Sequence, residues 1–293
     1  MRPQPTTKVG TETDRAEICC IDRLDRMELM RATYVRHAFP RHLHSTYVVQ
    51  LVEDGADDFT CNGESFRAGP GCVVVINPLV VHTGRPAAGK PLCYRSLYPS
   101  RRLVERIARR LGDGDEGYPL FGGPVIDDPR LADELAAAHR ALEADPGGAA
   151  AGRLVLPFFA RLIREHAVGP PCRRDAGGAN AAVTSAVRFL SEHVTEPVQL
   201  AQLAAVAGRS RFHLNRCFRQ QMGLPPHEYH LSLRVELARR RLRDGVAPAL
   251  VAQEAGFVDQ SHLTRWFKRF VGVTPGPYAR DRNGVQDAAR AAG

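Results

Sequence analysis

Residues 200–229 read LAQLAAVAGRSRFHLNRCFRQQMGLPPHEY and residues 251–280 read VAQEAGFVDQSHLTRWFKRFVGVTPGPYAR, so the stretch from Gln199 to Tyr278 contains one device twice. Leu214, Arg216, Phe218, Gly223, Pro226 and Tyr229 recur as Leu263, Arg265, Phe267, Gly272, Pro275 and Tyr278 at a constant offset of 49. One residue is slipped in after the second turn glycine. Each copy has the layout of two helices around a short turn. An Ala-rich apolar helix (Leu200, Leu203, Ala204, Val206; then Leu250, Val251, Ala252, Ala255) ends at Gly208 or Gly256, a residue able to close it in the left-handed conformation. A second helix follows a polar turn, as a helix-turn-helix requires.

In those second helices Leu214, Cys217 and Phe218 share one face, as do Leu263, Trp266, Phe267 and Phe270 in the repeat. The other face is polar and basic, with Phe212, Asn215, Arg216 and Arg219 in the first copy and Gln260, Ser261, Thr264, Arg265 and Lys268 in the second. Arg pairs bidentately with guanine, Asn and Gln with adenine, while Ser, Thr and Lys hold backbone oxygens. A single basic helix face is ordinarily just a solvated one. Two equivalent faces, each behind its own turn glycine, favour a reader of nucleic acid.

With the connecting RVELARRRL (residues 234–242), these strings resemble the DNA-binding domain of the AraC/XylS transcriptional regulators over about the last hundred residues. The resemblance implies seven helices, with two helix-turn-helix units on one joining helix from near Pro226 to about Arg243. The apolar stripe Leu231, Val235, Ala238 and Leu242 suits that helix, Pro226 its first turn, and Gly245 with Pro248 its end. A rigid connector spaces the reading helices; entering the major groove from one side, they must lie about one helical turn, roughly 34 Å, apart. The resemblance places base contacts on Phe212, Asn215, Arg216, Gln260, Ser261 and Arg265, and backbone contacts on Ser210, Arg211, Arg219, Thr264 and Lys268. Val258 and Asp259 depart from what the family often shows at the second turn.

Charge is distributed accordingly. The 293-residue chain has a net charge of +8, and residues 180–280 hold 14 Lys or Arg against 7 Asp or Glu, whereas residues 1–179 hold 24 against 23. The basic excess sits in the half expected to meet DNA. Seven scattered cysteines without a CxxC argue against a disulfide framework or zinc site and for a reducing cytoplasm. The neighbouring Cys19 and Cys20 are better read as incidental thiols than as a redox pair. No apolar run is long enough for a membrane span, and the polar N-terminus has no signal-peptide core.

Residues 1–15 are expected to form a mobile arm. From Ala16 to about Tyr98 short β-branched runs, among them 47–52 and 72–76, alternate with turn residues, which points to a barrel or sandwich. HLHSTYVVQLVEDG (42–55) and GPGCVVVINPLVVH (69–82) resemble the cupin-like effector-binding domain of the same regulators over roughly residues 20–170. His42, His44 and His82 converge by this reading, since residues i and i+2 of a strand share a face. With Tyr47 they form the expected effector wall. Metal-binding cupins place a Glu where Val48 and Val49 stand, and Glu53 lies too far along, so a polar pocket wall is favoured and neither metal nor cofactor is expected.

Helices are expected at about 99–112, 129–144 and 149–166, the last two offering a face for a homodimer. GPPCRRDAGG, within a 169–179 linker, separates an effector-binding domain (16–168) from the DNA-binding domain (180–282), and residues 283–293 form a frayed tail. The resulting expectation is an α+β two-domain chain, a cupin-like β-barrel with flanking helices before an all-α double helix-turn-helix domain. Its partners would be double-stranded promoter or operator DNA, a small-molecule effector, a second copy and RNA polymerase, in the cytoplasm, with no membrane. A metal-dependent cupin enzyme carrying an accessory basic domain is the alternative, and a nonspecific architectural DNA protein a further rival.

Overall fold

The computed structural model describes residues 13–112, 118–146, 149–168 and 181–280. Most of the expected arm, all of the expected linker and the expected tail therefore lie outside the described residues. Nine strands come first: β1 (Arg15–Ile21), β2 (Met27–Tyr34), β3 (Phe39–His42), β4 (Val48–Asp54), β5 (Asp57–Cys61), β6 (Glu64–Ala68), β7 (Val73–Ile76), β8 (His82–Pro86) and β9 (Leu92–Tyr98). Helix α1 (Arg101–Arg110), the short β10 (Val125–Ile126), α2 (Pro129–Ala144) and α3 (Ala149–His166) complete this half.

The strands form two antiparallel sheets, in the orders β1-β2-β9-β4-β7-β10 and β3-β8-β5-β6. Among the described residues no ladder joins one sheet to the other, so the β-half is two facing sheets and not a closed barrel. Short strands explain this. β3 pairs with β8 at only Phe39–Gly84 and His42–His82, with a register shift between them, too little ladder to carry the sheet round.

Alternation along β4 assigns each layer its contents. Val49 and Leu51, with the preceding Tyr47, face a core against α1, α2 and α3 that includes Leu103, Leu131, Leu135, Phe158 and Leu162. Val48 and Val52 face the space between the sheets. α1 starts where the Ser100 hydroxyl accepts the Leu103 N–H at 3.0 Å, and α2 where Asp128 accepts the N–H groups of Arg130 and Leu131.

Seven helices follow: α4 (Ala181–Glu192), α5 (Leu200–Val206), α6 (Arg211–Met222), α7 (Pro226–Arg243), α8 (Pro248–Glu254), α9 (Gln260–Val271) and α10 (Pro275–Arg280). Gly208 and Gly256 take the left-handed conformation at the two turns, and Gly223 and Gly272 take it at the ends of α6 and α9. α7 buries Val235, Ala238 and Leu242 against the second unit and Tyr229 against the first. Val235 and Leu242 each contribute about 1.5–3 kcal/mol by their burial, which fixes the connector against the second unit.

The helical half rests on the β-half. Gly272 leaves no room for a side chain, since a Cβ there would lie 2.0 Å from the Tyr34 hydroxyl, and Arg41 donates to the Gly223 carbonyl at 3.3 Å. The C-terminal ends of α6 and α9 thus abut the β-half. At this contact Glu28, 2% exposed, accepts from the Arg239 guanidinium and the Tyr278 hydroxyl and forms an ion pair with Arg243 Nη1 at 3.0 Å. Burial alone would raise the Glu28 carboxyl, but Arg239 and Arg243 override it and hold the group below its ordinary range.

Candidate nucleic-acid interface and effector cavity

The reading helices begin alike. Ser210 Oγ accepts the His213 N–H at 3.3 Å ahead of α6, and Asp259 Oδ1 accepts the His262 N–H at 2.7 Å ahead of α9. Asp259 stands 49 residues after Ser210, so its departure from the family pattern preserves the cap, because Ser and Asp both serve as N-caps. The Ser210 hydroxyl acts as the acceptor in this cap, so its own proton is not used there.

At one-turn spacing along α6 lie Phe212, Arg216 and Arg219, and along α9 Ser261, Arg265 and Lys268. All six are exposed, Phe212 at 81%. They occupy matching positions and stand opposite the buried pairs Leu214 with Phe218 and Leu263 with Phe267. Arg211 and Gln260 are exposed in the first turns, while Thr264 and Asn215 are half-buried on the flanks. Asn215 lines a small hollow with Leu190 and Pro226, which turns part of its side chain away from that face. The exposed Val258 is the one apolar group in the second turn that sequence reasoning did not place at the surface, at 86%.

Between the two sheets lies a cavity. Met30 and Tyr34 of β2, Val48 and Gln50 of β4, Phe59 of β5, Val74 and Ile76 of β7, and Tyr94 and Tyr98 of β9 wall it, and Arg239, Phe270 and Val271 of the helical half close it. Gln50 Nε2 donates to Asp57 Oδ2 at 2.9 Å, and the Arg85 N–H donates to Oδ1 at 3.2 Å. Burial nevertheless pushes the Asp57 carboxyl up to about 6. Among the described residues of this wall, the Tyr34 hydroxyl and His37 Nε2 are buried without a geometric hydrogen-bond partner.

His42, His44 and His82 meet at one end of this cavity, with ring centroids 4.2 to 5.2 Å apart. Burial lowers all three, reinforced by neighbouring histidines at His42 and His82 and by Arg239 at His44; His82 is pushed down to about 3 and His42 lies well below its ordinary value. Tyr47 is not among them. It belongs to the opposite face of the β4 sheet, where its hydroxyl donates to the Pro119 carbonyl at 2.5 Å. The signal was available, because Tyr47 shares parity with Val49 and Leu51, whereas Val48 and Gln50 point into the cavity. Glu53 accepts from Arg95 Nε at 2.6 Å, which engages it away from the histidines.

None of the six described cysteines is in a disulfide, and Cys172 lies outside the described residues. Burial pushes the Cys20 thiol up to about 11, against a reactive thiolate. Among the described residues no helix is long and apolar enough to cross a membrane.

Comparison with known proteins agrees with this division. Residues 26–155 match the AraC-like ligand binding domain, and residues 203–281 match a helix-turn-helix domain. The transcriptional regulator YbfI of Bacillus subtilis is 30% identical over 81% of this chain and 86% of its own length. The transcriptional activator RhaS of Klebsiella pneumoniae is 25% identical over 85% of this chain and 90% of its own. Among solved structures, ToxT of Vibrio cholerae shares the two-domain fold with a TM-score of 0.54 at 11% identity, over 92% of this chain and 98% of that one.

Proposed function

Because the chain belongs to the AraC family of helix-turn-helix transcriptional regulators, we propose that it reads a promoter through α6 and α9 and is controlled by a small molecule in the cavity between its sheets. The observation that carries the reading is the pair of matching exposed faces, Phe212, Arg216 and Arg219 with Ser261, Arg265 and Lys268, on helices joined by one connector. Arg216 and Arg265 supply bidentate contacts to guanine, Phe212 an apolar contact to a thymine methyl, and Gln260 and Ser261 further base-edge contacts. Arg211, Arg219, Thr264 and Lys268, with Ser210, hold phosphate.

An effector can change DNA occupancy only by binding two arrangements of the chain unequally. The cavity supports such a device, since Arg239, Phe270 and Val271 belong to α7 and α9 and line it together with the strands. A ligand there touches both halves. One solved form of ToxT carries an unsaturated fatty acid; the mostly apolar and aromatic wall here suits a small organic molecule with one or two polar groups. The exposed faces of α2 and α3 are the proposed homodimer surface, RNA polymerase the further partner, and the cytoplasm the compartment. This reading includes no catalytic step; the relatives are named as transcriptional regulators.

A footprint on a selected promoter fragment tests the function. Protection at two sites one helical turn apart on the same face of the duplex is expected. Uniform coverage without a defined boundary would instead indicate an architectural DNA protein.

A further inference from the structure

We propose that His42, His44 and His82 bind one divalent transition-metal ion, and that engaging His44 displaces Arg239. One ring nitrogen from each histidine lies within 4.8 Å of those of the other two. His42 and His82 face each other directly across the β3–β8 ladder, so their relative position is set by backbone pairing. His42 Nδ1 lies 2.8 Å from the Pro40 carbonyl and His82 Nδ1 2.9 Å from the Val80 carbonyl. A carbonyl only accepts, so both rings carry their proton on Nδ1 and present the Nε2 lone pair. This is the outer hydrogen bonding that orients metal-bound imidazoles.

Three imidazoles without thiolate or carboxylate suit zinc, cobalt or nickel and not magnesium or calcium. Three protein ligands leave a fourth position open, here on the cavity side. The absence of a carboxylate at Val48 and Val49, which set the metal reading aside in the sequence, removes one ligand and leaves a set sufficient for such a site.

His44 differs from the other two. Its Nδ1 accepts from Arg239 Nη1 at 2.9 Å, with Glu236 Oε1 3.5 Å away. In that state the His44 proton is on Nε2, and the ring cannot ligate there. Binding an ion through Nε2 moves the proton to Nδ1, where it is donated to Glu236, and Arg239 must withdraw. Proton and charge balance within the ring. Arg239 belongs to α7 and also pairs with the buried Glu28, so ion binding and this part of the contact between the halves exclude one another. By linkage each weakens the other.

Titration of the full chain with Co²⁺, free of DNA and organic ligand, tests the proposal. Intense visible bands of tetrahedral cobalt saturating at one equivalent, chased by Zn²⁺ and lost in a folded His82→Gln, are expected. No saturable bands, or bands that persist in His82→Gln, would overturn it. Should that variant not fold, ¹⁵N spectra of the unaltered protein decide. Zn²⁺ should shift Nε2 of His42, His44 and His82 and protonate His44 Nδ1; a shift confined to His166, which lies beside Asp128 and Glu165, would refute the site. DNA affinity in chelator is read in parallel, and its persistence alongside a failed titration would leave the gene-control reading standing.

Discussion

Asp57 is a carboxylate held between sheets, and its environment makes a sign-definite prediction. Its folded value near 6 lies above the ordinary 3.8, so the folded chain holds that proton more tightly than the unfolded chain. The stabilising effect is therefore complete below about pH 4, declines as pH rises through 6, and leaves an ionised buried group above that. Asp57→Asn should raise stability by up to about 3 kcal/mol above pH 7 and give no gain below about pH 4. Denaturant titrations at both pH values check this; an equal gain at both would show that the effect is packing and not charge. Asp57 was not legible as a cavity residue in the sequence, because it begins a strand after a turn glycine and reads as a solvated turn. The histidines were legible, since spacing at i and i+2 specifies a shared face whatever the loop lengths. Tyr47 departs from its expected place for the converse reason: it lies three residues from His44 in sequence, but shares the parity of Val49 and Leu51 and so packs on the opposite face of the sheet.

At the scale of elements, the two helix-turn-helix units differ where their turn glycines sit. Both Gly208 and Gly256 have positive φ, but a Cβ on Gly208 meets nothing within 4 Å whereas one on Gly256 lies 2.3 Å from the Thr195 carbonyl. Gly208→Ala should cost about 1–2 kcal/mol, the left-handed penalty alone. Gly256→Ala should cost roughly 1–3 kcal/mol more from overpacking, as a lower midpoint in thermal or denaturant unfolding. Equal costs would mean that the backbone at Thr195 yields freely. The boundaries of α2, α3 and α7 fall where Pro129, the 149–166 periodicity and Pro226 placed them, because caps and apolar stripes are local. The docking of α7 was not legible. Its amphipathic pattern names one apolar face, yet Arg239 is buried too, paired with a glutamate 211 residues away. No spacing rule reaches that far, and an arginine in a helix reads as solvated.

At the scale of the molecule, both reading helices end on the β-half and begin in solvent. Phe212 and Ser261 are at their free ends, Gly223 and Gly272 at their docked ends. The same α7 that joins α6 to the second unit carries Arg239 into the cavity wall, so the proposed spacing and the proposed ligand site share one rod. The absence of a closed barrel follows from the same economy of strands, since the second sheet is short and the helical half closes the space it leaves.

Arg216 and Arg265 are proposed to read bases. Titrating Arg216→Ala and Arg265→Ala against the preferred site and against random DNA measures it most directly. A loss of about 1–3 kcal/mol is expected on the preferred site, with a smaller loss on random sequence. Equal losses on both would place these guanidinium groups on phosphate and contradict it.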